Sequence, residues 1–286
     1  TRRDTIRLGL SLTLLASVAW GHPGDLSGQT STPLRGPIQL FHTSDQYLAC
    51  HNGMVSQSGE DVSIGFKWRS SMMGNSGRDP YWMAAVRRES LDHPAAVDAI
   101  EDKCTVCHLA MARTTAVAEG GQGRAFENFP VLGVGGPHTA LAQDGVSCTA
   151  CHQIRNVNLG VEAGFTGGYV IDLERGIGNR EVYGPFAVDA GRTRLMKSAS
   201  EFEPLEAAHI QSAEFCANCH TLFTHALDAD GNEVGELAEQ VPYLEWKSGT
   251  FSGKISCQVF AMADGQRGVR ISVIGVRSIS CTISQE

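Results

Sequence analysis

Three short segments of this chain share one cysteine–histidine pattern, which constrains the fold more than any other feature of the sequence. Each segment has two cysteines separated by two residues, with a histidine directly after the second cysteine. The chain of 286 residues contains only 9 cysteines and 10 histidines, so three chance matches are negligible. The segments are Cys104, Cys107 and His108; Cys148, Cys151 and His152; and Cys216, Cys219 and His220.

This pattern is the attachment sequence of c-type haem. Two thiols at this spacing reach the two vinyl groups on one edge of the porphyrin and form thioethers, and the adjacent imidazole then ligates the iron. Zinc sites also use cysteine pairs, but they do not need a histidine after each pair. Disulfides need no histidine at all. The sequence therefore predicts three haem c groups.

Two further segments look like damaged copies of the pattern. Cys50 and His51 stand in register, but Tyr47 occupies the position of the first cysteine. This segment allows a fourth haem held by one thioether, a site that has lost its haem, or a one-base change from a cysteine codon. The alternative is a free cysteine beside a surface histidine. Around Cys257 no histidine follows to ligate iron, so we do not expect haem there.

Further histidines are candidates for the second axial position. A haem used only for electron transfer usually has both axial positions filled by protein side chains. His42 precedes Tyr47 and is the weaker candidate, and an ordinary polar role is the alternative for every lone histidine. We predict second axial ligands among His93, His138, His209 and His225.

The first 21 residues have the features of an export signal. A basic start with Arg2, Arg3 and Arg7 precedes an apolar stretch over residues 8–20, and small residues surround its end. A buried helix is the alternative. Export predicts a periplasmic or cell-surface protein. We divide the chain into a signal peptide (1–21), a haem-binding domain (22–256) and a tail (257–286) that is truncated or frame-shifted.

The charge of the chain limits its partners. The formal net charge is −8 at pH 7, without any block of Lys or Arg. Nucleic-acid phosphates require cationic surface, so we exclude nucleic acid as a partner. An acidic surface instead favours redox partner proteins with basic docking patches. No run of about 18 apolar residues occurs, so no standard membrane span is expected.

We expect a mainly helical fold with extensive loops, organised by haem packing. Residues 59–116 are predicted to be largely helical, with one helix that Asp79 and Pro80 open. Residues 203–224 are also predicted to be helical. Residues 120–137 are predicted to form a loop, residues 156–200 a small hairpin or irregular loop, and residues 228–231 a turn.

The motifs give the chain a clear resemblance. It resembles the multihaem c-type cytochromes, a group that includes exported tetrahaem electron carriers and the haem-rich domain of hydroxylamine oxidoreductase. The specific part of this resemblance lies within residues 104–220, and the surrounding sequences Asp144-Gly-Val-Ser-Cys148 and Ala207-Ala-His209 also look like exported multihaem proteins. The resemblance implies haem c as cofactor and electron transfer between exported redox partners as function.

Other functions remain open at this point. An oxidoreductase that acts on a small nitrogen or sulfur compound would need one haem with an open iron position. The segment around Tyr47 is the candidate for that haem, because it departs from the attachment pattern of the other three. The chain would keep its electron-transfer role as part of a larger membrane-associated cytochrome complex. A zinc-binding structural module is the most distant alternative.

Overall fold

The computed structural model describes residues 39–55, 58–59, 61, 63–129, 134–176 and 178–249, together with the backbone of 270–273 and 279–282. These residues all lie in one compact unit, Pro37–Glu286. The fold is mixed, about 47% helical with small sheets. The predicted signal peptide lies outside the described residues, as does most of the predicted tail. The prediction of a mainly helical chain with extensive loops is therefore confirmed for the helices and loops. The small sheets make the fold mixed.

The N-terminal half of the described chain is helical, as predicted for residues 59–116. Helix α3 begins at Pro80, and the Asp79 carboxylate caps it by accepting a hydrogen bond from the Tyr81 amide at 2.9 Å. Short 3₁₀ segments at Met73–Arg78 and Pro94–Ala96 precede α3 and α4. The helices are α1 (Asp45–Leu48), α2 (Ile64–Arg69), α3 (Pro80–Asp92), α4 (Val97–His108) and α5 (Ala110–Ala118).

Shorter elements follow after α5. The predicted loop at 120–137 contains one four-residue helix, and the predicted turn at 228–231 is confirmed by a hydrogen bond from the Gly231 amide to the Asp228 carbonyl at 3.1 Å. Further 3₁₀ turns span Glu162–Gly164 and Ala208–Gln211. The later helices are α6 (Ala125–Asn128), α7 (Thr139–Gln143), α8 (Cys148–His152), α9 (Ala190–Ser200), α10 (Ala213–Cys216) and α11 (Pro242–Ser248).

Three two-stranded sheets complete the fold. Strands β1 (Arg180–Gly184) and β2 (Phe202–Glu206) pair in parallel, with α9 as the crossover between them. Strands β3 (Leu222–Leu227) and β4 (Glu233–Gln240) form an antiparallel hairpin. Strands β5 (Arg270–Val273) and β6 (Ile279–Thr282) form another.

The structure corrects two predictions of local structure. The helix predicted over 203–224 is wrong, because β2, a 3₁₀ turn, α10 and the start of β3 occupy that range. Pro204 lacks the amide hydrogen that a helix interior needs, whereas an edge strand tolerates it. For 156–200, where a small hairpin or irregular loop was predicted, the irregular loop is correct over 156–176, apart from one 3₁₀ turn. The rest of the range contains β1 and α9, and β1 pairs in parallel with β2 and not within a hairpin.

Among the described residues, the buried apolar side chains form four small clusters and not one continuous core. Trp82 and Leu109 lie in the first cluster, Phe41 and Met111 in the second, and smaller groups surround Phe215 and Tyr243. Cysteines of the predicted haem motifs border these clusters: Cys104 packs on the first, and Cys151 and Cys216 pack on the third. None of the helices in the described part of the chain is long and apolar enough to cross a membrane.

Candidate functional site

The first motif lies at the C-terminal end of α4. Cys104 and Cys107 are free and half-buried, and His108 is the last residue of the helix. Nδ1 of His108 lies 3.2 Å from the Ser76 carbonyl oxygen. The Trp82 ring stacks on the imidazole at 4.6 Å between centroids and 7° between planes. Helix α3 and the 3₁₀ turn before it therefore fix the orientation of this imidazole.

The second motif forms the whole of α8. Nδ1 of His152 lies 2.6 Å from the carbonyl oxygen of Tyr183 on β1. The hydroxyl of Thr149 donates to the His42 carbonyl at 2.9 Å, and the side-chain amide of Gln153 donates to the Leu40 carbonyl at 3.0 Å. Strand β1 and residues 40–42 therefore position this short helix.

The third motif begins on α10 and continues into a turn. The Ser212 hydroxyl caps this helix by accepting a hydrogen bond from the Phe215 amide at 3.2 Å. Cys216 and Cys219 form no disulfide and are half-buried. Nδ1 of His220 is buried, and it has no hydrogen-bond partner within the described part of the chain.

The three motifs converge in space. The Cys107 and Cys219 side chains share a hydrogen bond, and Cys151 is close enough to Cys219 to interact with it electrostatically. Tyr169 lies beside this group and donates its phenol hydrogen to the Val106 carbonyl at 2.9 Å. At Gly167, φ is +79°, and a Cβ atom would lie 2.6 Å from a Val106 methyl carbon. The loop around Gly167, which contacts the first and third motifs, therefore needs glycine at this position.

Burial favours the uncharged form of several thiols and imidazoles in these motifs. Burial raises the pKa of Cys104 and of Cys151 to about 12. The hydrogen bond with Cys107, together with burial, raises the pKa of the Cys219 thiol. Burial lowers the pKa of His108 and that of His220. The neutral imidazole is the form that binds a metal, so these histidines are in the ligating state.

The damaged motif lies next to the second motif. Tyr47 interacts electrostatically with Cys148, and His51 does so with His152. Cys50, by contrast, is exposed. The Tyr47 hydroxyl and Nδ1 of His51 are buried, yet neither has a hydrogen-bond partner among the described residues. The third motif also has two such atoms, Oδ1 of Asn218 and Nδ1 of His220.

Two of the predicted second ligands lie near the β3–β4 hairpin. Nδ1 of His93 lies 3.3 Å from the Asp228 carbonyl oxygen, which follows β3. This bond resembles those of His108 and His152, since each leaves Nε2 for a metal. His225 lies on β3, is exposed, and has Nδ1 3.5 Å from the Glu233 carboxylate.

In the other two predicted second ligands, Nε2 already contacts an oxygen atom of the protein. Nε2 of the buried His209 lies 2.9 Å from the Ile154 carbonyl oxygen, directly beyond the second motif. Nε2 of His138 lies 3.1 Å from the Glu119 carboxylate. Each of these rings would have to release that contact, or ligate through Nδ1, to serve a haem iron.

The donor set of the three complete motifs fits haem c. Each motif presents two cysteines that form no disulfide, and the carbonyl contacts of His108 and His152 leave Nε2 of each ring for iron. Among the described residues, no group of three or more His, Cys, Asp and Glu side chains lies close enough to hold a metal ion. A haem iron does not need such a group, because the porphyrin nitrogens supply four of its ligands.

Some residues around the motifs were not predicted from the sequence as parts of the site. Tyr169, Gln153 and Arg180 contact the motifs or residues next to them, but their types and positions carry no pattern of their own. Trp82, which stacks on the His108 ring, also belongs to these surroundings.

Because comparisons with known proteins found no match, the interpretation of the site rests on its sequence motifs and geometry. No protein-family model, no curated protein and no solved structure matches this chain.

Proposed function

We propose that this chain is a multihaem c-type cytochrome that transfers electrons between exported redox partners. The observation that carries the proposal is the convergence of the three complete attachment motifs. Tyr169 and Gly167 donate to carbonyls of the first and third motifs, Val106 at 2.9 Å and Asn218 at 2.6 Å. Cys151 of the second motif and Cys216 of the third pack on one apolar cluster. Attachment sites side by side suit a relay, because electron transfer is fastest over short distances.

Cysteines of the chain attach the haems and histidines ligate their irons. The six thiols of the complete motifs form the thioethers, and His108, His152 and His220 ligate iron. Cys50 and His51 hold a fourth haem through one thioether. Haem, when bound, supplies a one-electron iron couple. Backbone carbonyls of Ser76 and Tyr183 fix the orientation of two of the ligating rings.

The second axial ligands are proposed from the same contacts. His93 is the best placed, because its Nδ1 already bonds a backbone carbonyl and its Nε2 remains for iron. His225, His209 and His138 remain proposed ligands. Two protein ligands on each iron would keep small molecules away from it, as a pure electron carrier requires.

The surface of the protein supports docking to basic partners. Strand β4 is exposed along its whole length and carries Glu233, Glu236 and Glu239. Together with the net charge of −8, this strand favours electrostatic encounter with basic patches on redox proteins. The same surface would serve if the chain belongs to a larger membrane-associated cytochrome complex.

A second function has one observation in its favour. Among the described residues, the buried Tyr47 hydroxyl and Nδ1 of His51 have no hydrogen-bond partner. His42 lies beside Tyr47, with its Nε2 3.9 Å from the Glu201 carboxylate. An open haem iron and a small bound molecule would give the two atoms partners. This arrangement would suit an oxidoreductase that acts on a small nitrogen or sulfur compound.

The proposal is tested by counting haems on the purified mature protein. Pyridine haemochrome absorbance and an intact mass should give four haems per chain, and the Cys104→Ser/Cys107→Ser double variant should carry one fewer. A wild-type protein without covalent haem would overturn the proposal. Carbon monoxide binding to the reduced protein separates the two functions, since a pure electron carrier should not bind it.

A further inference from the structure

Residues 198–246 concentrate the negative charge of the chain. This stretch has ten acidic residues and no Lys or Arg, although the whole chain has 23 Lys and Arg residues. The formal charge of −8 is therefore unevenly distributed along the chain. Half of the ten acidic residues lie on the β3–β4 hairpin or in its turn: Asp228, Asp230, Glu233, Glu236 and Glu239.

Strand β4 of this hairpin is open to solvent on both faces. All 8 of its residues are exposed, and in the described part of the chain it pairs only with β3. Of its three glutamates, only Glu233 makes an ion-pair contact among the described residues, with His225 at 3.5 Å. Val234 and Leu237 lie between the glutamates along the strand and are 65% and 62% exposed. Exposed apolar side chains bordered by charged ones suit a docking surface, which has an apolar centre and a polar rim.

The hairpin lies beside α4, the helix that ends in the first motif. Its turn contacts the residues that precede this helix, because the Asp228 carbonyl oxygen is 3.3 Å from Nδ1 of His93. Further along the hairpin, Glu239 on β4 is close enough to Cys104 to interact with it electrostatically. Strand β3 continues from the third motif, but it carries no carboxylate. The acidic strand is therefore placed beside the first motif.

We propose that a basic redox protein docks on the β3–β4 hairpin and exchanges electrons with the haem attached at Cys104 and Cys107. Carboxylates on an exposed strand attract a cationic partner and raise the rate of encounter. A second copy of this chain or an anionic membrane surface does not fit, because either would bring negative charge to the hairpin. This inference rests on the proposed function, because it requires haem at the first motif.

Binding of the haem-loaded protein to mitochondrial cytochrome c, a basic haem protein, tests the docking surface. The hairpin variant replaces all three glutamates of β4: Glu233→Gln, Glu236→Gln and Glu239→Gln. We expect its Kd to rise about tenfold at low ionic strength, and the difference should shrink as salt screens the charges. The control variant replaces three exposed glutamates outside residues 198–246: Glu127→Gln, Glu162→Gln and Glu174→Gln. Equal weakening in both variants would contradict the inference, because net charge alone would then explain the binding.

Electron-transfer rates test which haem faces the partner. When the reduced protein is mixed with oxidised cytochrome c in a stopped-flow instrument, the hairpin variant should react about tenfold more slowly than the wild type at low ionic strength. Cys104→Ser/Cys107→Ser should bind cytochrome c as the wild type does but transfer electrons more slowly. The comparison is Cys216→Ser/Cys219→Ser, which removes the third haem and should slow the reaction less. Equal or greater slowing in this second variant would contradict the inference.

The outcomes separate this inference from the function on which it rests. A wild-type chain without haem would overturn the proposed function. A haem-loaded hairpin variant with the affinity and the rate of the wild type would overturn the inference alone. Should a variant fail to fold or self-associate through its strand edge, carbodiimide cross-linking of the wild type to cytochrome c still decides. Cross-links should form at carboxylates within residues 228–239, and a map confined to other carboxylates would contradict the inference.

Discussion

The first motif and the 47–51 segment differ in how much the protein itself orders them. The first motif ends a twelve-residue helix between α3 and α5, and its imidazole has both a carbonyl partner and the stacked Trp82 ring. The 47–51 segment begins inside the four-residue helix α1, whose N-cap Ser44 makes no side-chain capping hydrogen bond, and Cys50 is exposed. Two of its buried polar atoms lack partners among the described residues.

This difference indicates that the two regions depend on different contacts for their conformation. Protein contacts position the first motif whether or not a cofactor is attached. In the 47–51 segment, the orphaned atoms of Tyr47 and His51 indicate a partner that the described residues do not provide. If that partner is a haem held by one thioether, changes at Cys50 and Tyr47 should have effects that changes around the first motif lack.

Removing the single thiol of the 47–51 segment should have the largest effect. Cys50→Ser deletes its one thioether, so we expect the covalent haem count to fall from four to three, as measured by intact mass under denaturing conditions. The matched control is Ser58→Ala, a nearby exposed position outside every motif. An intact mass that gives three haems in both the wild type and Cys50→Ser would show that Cys50 holds no haem.

Completing the damaged motif should change the bonding without changing the number of haems. Tyr47→Cys places a thiol at the half-buried first position, so we expect a second thioether on the fourth haem. A haem with one thioether retains a vinyl group conjugated with the ring, which moves the pyridine haemochrome band to longer wavelength. The wild-type spectrum should contain that component and the variant spectrum should lack it. Identical spectra would show that Tyr47 does not stand at a haem-binding position.

The sequence predicts local features of both regions better than their assembly. Asp79 and Pro80 marked the start of α3, and the spacing of the cysteines identified the motifs, because capping and thioether formation depend on neighbouring residues. The parallel pairing of β1 with β2 could not be predicted in this way, since it depends on residues separated by a whole helix. The contact between Cys107 and Cys219 and the burial of Arg180 have the same origin in tertiary packing.

The scaffold of the first motif should respond to loss of the Asp102 carboxylate. Asp102 on α4 accepts hydrogen bonds from Arg113 on α5 at 3.1 and 2.8 Å and from the Gly123 amide at 2.6 Å. Asp102→Asn should lower the free energy of unfolding at pH 7 by about 1–3 kcal/mol, as measured by urea titration. The exposed Asp98, which pairs with Arg124, provides the control, and Asp98→Asn should be indistinguishable from wild type.

The pH dependence of this stability has a defined sign. Burial alone raises the pKa of Asp102, but the bonds from Arg113 and Gly123 outweigh it and leave the pKa below its usual value. The contribution is therefore complete above the unfolded pKa of about 3.9 and is lost as the pH falls towards the folded value. Wild type and Asp102→Asn should converge in stability below about pH 4. A constant difference across that range would show that the charge of Asp102 is not involved.

Removing the cap of α3 should produce the smallest effect. The Asp79 carboxylate accepts from the Tyr81 amide at 2.9 Å, so Asp79→Ala should cost about 1 kcal/mol in the free energy of unfolding. Asp92→Ala, at the other end of α3, removes only an exposed ion pair with Arg88 and should change little. Because α3 carries Trp82 against His108, the cap variant should loosen the first motif and leave the Cys50 haem in place. If Asp79→Ala instead released the haem from the 47–51 segment, the two regions would share one source of order, and the distinction between them would fail.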